Sequence, residues 1–414
     1  MLSGVPMHWM ARWAGGFPLF VTEASGAHFK DVDGHEYIDL CLGDTGGMTG
    51  HAPPAVVKAI NEQVRRGITS MLPTEDALWV AEELTRRFGL PFWQFCLTAT
   101  DANRFSIRLA RAITNRKYVL VFNGCYHGTV DETFIALEDG SPVSRPGNIG
   151  APVVPMETTK VVEFNDLAAL EGALEPRDVA CVLAEPVMTN VGIIHPDPGY
   201  HDALRELTRR TGTLLIIDET HTICAGPGGY TRLHGLQPDM FVIGKPIAGG
   251  VPAATYGCTA DVGERVTLLI DRDASDTGGI GGTLAGNALS LAAMRATFEH
   301  VLTDNAFAHM IALGERFEAG VAAAIVNAGL SWHVARLGCR AEYLFRPTPP
   351  RNGSEAQKAA DPELDTFMHL YALNRGILLT PFHMMALMSP ATTERDVDAH
   401  TAVFESAMHE LAAS

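Results

Sequence analysis

Short apolar runs recur through the middle of this chain, separated by stretches long enough to be helices. Tyr118 to Phe122, Ala180 to Ala184, Leu214 to Ile217, Met240 to Ile243 and Ala254 to Cys258 are the clearest. They are continuous rather than alternating with polar residues, which predicts strands buried on both faces. Asp101 to Ile113 and His201 to Arg210 read as helices; Leu204, Leu207 and Thr211 recur at a spacing of three to four. Buried strands interleaved with helices predict an α/β fold with a largely parallel sheet between helical layers. From about Leu284 the pattern is mostly helical, with strand-like patches at His333 to Leu337 and Ala341 to Phe345. Pro347 to Ser354 reads as a loop, and Asp31-Val32-Asp33-Gly34 as a turn between two short strands.

Composition narrows the function. At 414 residues the chain exceeds one typical core, so two domains are expected. A formal charge of −17 opposes binding to phosphate backbones, which argues against nucleic acid as a partner. Seven cysteines are scattered without a CxxC pair, as expected of reduced thiols, and no metal-ligating set stands out. There is neither a membrane-length apolar stretch nor a secretory pattern at Met1 to Pro6, so a cytoplasmic protein is expected.

Lysine is scarce, with six in the chain, and Lys245 stands in an unusual place. It follows Met240-Phe241-Val242-Ile243-Gly244 and precedes Pro246 and Ala248-Gly249-Gly250, a strand running into a glycine-rich turn. An amine held there can be desolvated and made nucleophilic, although most lysines simply extend to solvent. Asp218, 27 residues earlier, directly follows the aliphatic run Leu214 to Ile217. The carboxyl end of a buried strand is where open α/β sheets place ligands, though an Asp there also serves as a helix cap. Thr98-Ala99-Thr100-Asp101 opens a helix and offers N–H and hydroxyl donors to an anion, or an ordinary cap. Tyr126, in Tyr126-His127-Gly128, is either a stacking aromatic or a core tyrosine. An amine, a carboxylate, a phosphate cradle and an aromatic face are together what pyridoxal phosphate requires.

In this order and spacing the motifs resemble the class III aminotransferases, which are fold type I pyridoxal-phosphate enzymes. The likeness is to the glutamate-1-semialdehyde aminomutase and β-amino-acid transaminase branch, and runs from Gly26 to the C-terminal helix. The resemblance implies a mainly parallel seven-stranded sheet in a large domain over 51–290. It also implies a small α+β domain over 291–414, joined by the segment 1–50. Lys245 matches the Schiff-base lysine and proton shuttle, and Asp218 the partner of the pyridinium nitrogen. Ala99 and Thr100 match the phosphate turn, and Tyr126 the stacking aromatic. Glu185 and Asn190 match the stretch near the cofactor's phenolic oxygen. Thr283 matches the threonine that reaches the cofactor phosphate of a second copy, which implies a homodimer with shared sites. Two departures stand out. Thr220 replaces the usual valine beside the ring, and His221 is unusual and expected near the phenolic edge.

The resemblance implies an aminotransferase of omega-transaminase type, with a small amine donor and a keto acceptor. An aminomutase of the glutamate-1-semialdehyde type, or a racemase or epimerase, would use the same residues. The segment Leu379 to Met385 lacks the arginine that grips a substrate carboxylate in the β-amino-acid transaminases. An apolar pocket is therefore expected, lined by Trp9, Arg12, Phe382 and His383. Asp218-Glu219-Thr220-His221 also mimics a helicase DExH box, but Gly244-Lys245-Pro246 is no phosphate loop.

Overall fold

Each of the five apolar runs is a strand in the computed structural model, which describes residues 1–11, 15, 18–273, 278–381 and 383–413. They join Phe92–Cys96 and Thr159–Val162 in a seven-stranded sheet. Its order is Phe92–Cys96, Ala254–Cys258, Met240–Ile243, Leu214–Asp218, Val179–Ala184, Tyr118–Phe122, Thr159–Val162. Ala254–Cys258 runs antiparallel to both neighbours, and every other pairing is parallel. Burial on both faces explains the unbroken apolar runs. Val119, Val121 and Ile216 enter one core cluster, while Leu120, Phe122, Leu215 and Ile217 enter the opposite one.

Helices close both faces. Ala99–Thr114 turns Ala102, Phe105, Ile107, Leu109 and Ala110 onto the first cluster, and Tyr200–Thr211 turns Leu204 and Leu207 onto the second. The first helix starts two residues earlier than the apolar pattern predicts, because Thr98 caps it by accepting from the Asp101 N–H at 3.2 Å. Similarly, Asn352 accepts from the Glu355 N–H at 2.9 Å, so a helix over Gly353–Lys358 begins inside the expected loop.

Among the described residues, two of the three smaller sheets bear on the site. Val21–Ser25, His28–Asp31 and Glu36–Asp39 form an antiparallel ribbon, and Ile377–Leu378 pairs parallel with its last strand. The turn after Asp31 is held by its carboxylate, which accepts from the N–H groups of Asp33 and His35, both at 2.9 Å. His333–Leu337, Arg340–Leu344 and Met385–Leu387 make a three-stranded antiparallel sheet under the helices Asp304–Asn327 and Glu394–Ala413.

The hairpin turn Gly338-Cys339 docks this sheet on the large frame. The Cys339 N–H donates to the Cys224 carbonyl at 3.0 Å. Gly338 lies at φ +56°, and a Cβ on it would stand 2.1 Å from that carbonyl oxygen. Gly338→Ala should therefore destabilise the protein by roughly 2–4 kcal/mol, through backbone strain and a forced separation. Thermal denaturation followed by circular dichroism checks this; an unchanged midpoint would contradict the close docking.

Candidate functional site

Asp218 and Lys245 leave the carboxyl ends of two strands that pair in parallel, with Asp218 in register with Val242. Gly244 separates the second strand from Lys245, which adopts φ +53° and opens a short helix, Lys245–Ala248. A β-carbon on Gly244 would meet the Ala99 N and Cβ at 3.3 and 3.1 Å, so the lysine turn lies against the start of helix Ala99–Thr114. Gly128 packs there too, at φ +80°, where a β-carbon would fall 2.1 Å from the Thr100 hydroxyl oxygen. That hydroxyl accepts from the Thr129 N–H at 3.1 Å. Two turns thus converge on one helix N-terminus, whose first N–H groups lack intrahelical acceptors and favour an anion.

Asp218 is buried in a hydrogen-bonded cluster. Its Oδ2 accepts from Asn103 Nδ2 at 2.8 Å and lies 2.9 Å from His127 Nδ1, while Oδ1 accepts from the Thr220 N–H at 3.1 Å. Burial pushes the carboxyl up, but His127, Thr220 and Asn103 outweigh it and bring the pKa down to about 2. Burial likewise opposes charge on His127, yet the Cys125 sulfur and Asp218 hold it well above its usual value. Asn103 and His127 were not singled out from the sequence. The available signal was an asparagine on the apolar face of an amphipathic helix, a position that demands a buried partner.

Lys245 lies among polar groups. Its Nζ donates to the Asp44 carbonyl at 2.8 Å, to Asp44 Oδ2 at 3.0 Å, and lies 2.8 Å from His221 Nε2. His221 therefore faces the lysine amine rather than standing apart from it. Its Nδ1 lies 2.9 Å from the Thr45 hydroxyl and 3.3 Å from Arg340 Nη1. Burial first, then the charge of Lys245, presses the His221 pKa well below its usual value, which keeps the ring neutral. Asp44 goes the other way: burial opposes its ionisation, but Lys245 chiefly holds its carboxyl well below the usual range.

Further polar groups stand beside the lysine. Arg340, fully buried, donates to the Thr189 carbonyl at 2.9 Å and stands 3.9 Å from Asp44 and 3.8 Å from Glu342. Glu342 in turn pairs with His383 Nδ1 at 2.9 Å. The polar groups come from Arg340–Leu344, a strand distant in sequence from Leu379 to Met385, where an arginine was sought.

The remaining expected residues are placed as follows. The Tyr126 ring is half-buried, meets Trp9 edge-on at 5.4 Å and has the Arg145 guanidinium 5.8 Å from its centroid. Glu185 is buried and accepts from the Thr189 N–H at 3.1 Å and from its hydroxyl. Asn190 donates to the Gly124 carbonyl at 2.9 Å. Thr283 is exposed on a surface turn. Arg12 and Phe382 lie outside the described residues.

These residues fit pyridoxal phosphate. Three of the four lone-pair positions of the Asp218 carboxylate are used, leaving one for a ring N–H. The buried atoms His127 Nε2, Thr220 Oγ1, Asn103 Oδ1 and Glu185 Oε1 have no hydrogen-bond partner, as expected around a site for a polar group. The depressed pKa of Asp218 also carries a stability signature. Its contribution is complete above about pH 4 and is lost as pH falls toward 2, worth about 2 kcal/mol. Asp218→Asn should flatten the decline of stability in that window. Urea-unfolding midpoints between pH 5 and 2.5 test this, and equal slopes for both proteins would refute it.

Comparison with known proteins agrees with this geometry. The sequence profile described as "Aminotransferase class-III" matches residues 9–403. A crystal structure of a glutamate-1-semialdehyde-aminomutase from Pseudomonas aeruginosa PAO1 superimposes with a TM-score of 0.98 and is 53% identical. That match covers 99% of this chain and 92% of that one. An omega-transaminase from Sphaerobacter thermophilus superimposes with a TM-score of 0.89 at 28% identity, covering 100% and 96%. Among curated sequences, glutamate-1-semialdehyde 2,1-aminomutase of Sorangium cellulosum is 35% identical over 396 residues, 94% of this chain and 88% of that protein. A profile match over nearly the whole length, on a fold type I frame with an amine and a carboxylate at adjacent strand ends, places this chain in the class III aminotransferase family.

Proposed function

We propose that the protein is a pyridoxal-phosphate-dependent aminomutase of the glutamate-1-semialdehyde type, moving an amino group between neighbouring carbons of one substrate. The carrying observation is the full-length likeness to the aminomutase from Pseudomonas aeruginosa, at 53% identity. It favours this reading over the omega-transaminase expected from the missing arginine, as do the polar surroundings of Lys245.

The cofactor is pyridoxal 5′-phosphate, which supplies a carbonyl for amines and a ring that accepts electrons. Lys245 would hold it covalently, and its Nζ would serve as the base that moves a proton at the carbon bearing the migrating nitrogen. Asp218, kept ionised by His127, Asn103 and Thr220, would keep a proton on the ring nitrogen. The N–H groups of Ala99 and Thr100 would hold the phosphate, Tyr126, Thr220 and His221 would hold the ring, and Glu185 and Asn190 lie along the next strand exit. Trp9 and His383 would border the substrate. The large sheet and its helices, over 51–290, form one domain, and 291–414 with the N-terminal ribbon form the other.

Lys245→Ala should abolish the visible absorbance of covalently held cofactor. Incubated with glutamate 1-semialdehyde and no keto acid, the wild-type protein should form the isomer with nitrogen on the neighbouring carbon, detected by chromatography. Strict dependence on an added keto acceptor would instead establish the transaminase.

We propose further that the active unit is a homodimer. Thr283 and Leu284 are exposed, as are Ile68, Met71 and Leu72, and the two segments meet where the Ala288 N–H donates to the Ile68 carbonyl at 2.9 Å. An apolar patch of this kind marks a contact surface. Sedimentation equilibrium should give twice the 44.5 kDa chain mass. Thr283→Ala should weaken cofactor retention in dialysis; a monomer that keeps its cofactor would exclude shared sites.

A further inference from the structure

Glutamate 1-semialdehyde carries a carboxylate, and the guanidinium groups of this site differ in their freedom to meet one. Arg340 stands 3.9 Å from Asp44 and 3.8 Å from Glu342, so an incoming carboxylate there would face two like charges. Arg145 is different. It is half-buried, and among the described residues no carboxylate lies within 4.0 Å of its guanidinium. Its Nη1 donates to the Cys125 carbonyl at 2.6 Å, which leaves Nε and Nη2, the fork that a carboxylate fits. Its Cζ lies 5.8 Å from the centroid of the Tyr126 ring, which Trp9 meets edge-on at 5.4 Å. Burial chiefly raises the pKa of the Tyr126 hydroxyl, while Arg145 lowers it and Asp44 raises it. That hydroxyl is thus within electrostatic reach of Arg145 and of the polar groups around Lys245.

The arginine is held in place before anything binds. Asp139 and Gly140, at φ +48° and +77°, make the tight turn between the paired strands Ile135–Glu138 and Ser141–Ser144. This hairpin docks where the Leu137 N–H donates to Asn123 Oδ1 at 2.9 Å. Arg145 is the first residue beyond it. Its N–H donates to the Phe134 carbonyl at 3.0 Å, and its carbonyl accepts from the Asn148 N–H at 3.1 Å. A guanidinium fixed through its backbone and one Nη loses little freedom on engaging a carboxylate.

We propose that Arg145 grips the carboxylate of the substrate, and so selects amines that carry an acid at the far end of the molecule. The inference rests on the aminomutase reading, whose substrate holds its carboxylate two methylene groups from the carbon that bears nitrogen. The unmet charge of Arg145 supplies the attraction, and its fork supplies the direction.

The test is calorimetric titration of the cofactor-loaded protein, with the visible absorbance recorded in parallel. The probes are 4-aminobutanoate, which sets nitrogen and carboxylate at the spacing of glutamate 1-semialdehyde, and 4-aminobutanamide, of the same shape without the charge. The wild-type protein should bind the acid at least about tenfold more tightly than the amide. In Arg145→Gln that advantage should fall to within about threefold while the amide keeps its affinity, and Arg145→Lys should restore part of it. Equal affinities for acid and amide in the wild-type protein would overturn the proposal, whether or not the variants fold. An undiminished advantage in Arg145→Gln would overturn it by placing the carboxylate on another cation. An equal loss of both probes would overturn it by marking a structural role. Acceptor-independent isomerisation with no preference for the acid would refute the Arg145 site and leave the aminomutase standing. An Arg145-dependent preference with strict need of a keto acid would do the reverse.

Discussion

The parallel pairing of Leu214–Asp218 with Met240–Ile243 is the constraint on which the site depends. Both strands are buried throughout, so their hydrogen bonds and side chains are held by packing on two faces and have little freedom to shift. Their register sets Asp218 opposite Val242, and the amine then needs only the turn at Gly244 to emerge beside the carboxylate. A one-residue slip of Leu214–Asp218 would send Asp218 to the opposite face of the sheet. The reacting groups inherit their precision from the core.

Charge is organised in two layers around that pair. Asp218, His127 and Asn103 form an inner cluster, where a buried carboxylate stays ionised because its hydrogen-bond partners outweigh the penalty of burial. Asp44, His221, Arg340, Glu342 and His383 form an outer cluster around the lysine. The second layer draws on the N-terminal ribbon, the turn after Asp218 and the three-stranded sheet. It exists only once the Gly338 turn has docked against Cys224. Burying an arginine completely is costly unless its charge is met, and here Asp44, Glu342 and the Thr189 carbonyl meet it.

Much of the inner site was legible in the sequence. Asp218, Lys245, Tyr126 and the Thr98 turn each sit where an apolar run ends or a helix begins, and local pattern marks those points. Asn103 and His127 were not legible as a pair, because the partner of each is fixed by strand order rather than by spacing. Asp44 carried no local signal at all. It lies in a short segment of small residues whose left-handed conformation is imposed by contacts from Asp39 and Leu42. Leu379 to Met385 contains no arginine, but a neighbouring strand brings Arg340 to 3.9 Å from Asp44, a contact that no local pattern announced.

The sequence by itself determined the layer architecture, the main strands and the placing of Asp218 and Lys245 at the ends of two of them. Hydrophobic period and strand-end position are local properties, and a chain cannot satisfy them in many ways. What only the tertiary structure decided is what surrounds those two groups. Residues 44, 221, 245 and 340 meet because three sheets dock, and no spacing in a linear chain encodes a contact that packing creates. The protonation of each group follows from that docking, because burial and neighbouring charge act through distance in space and not along the chain.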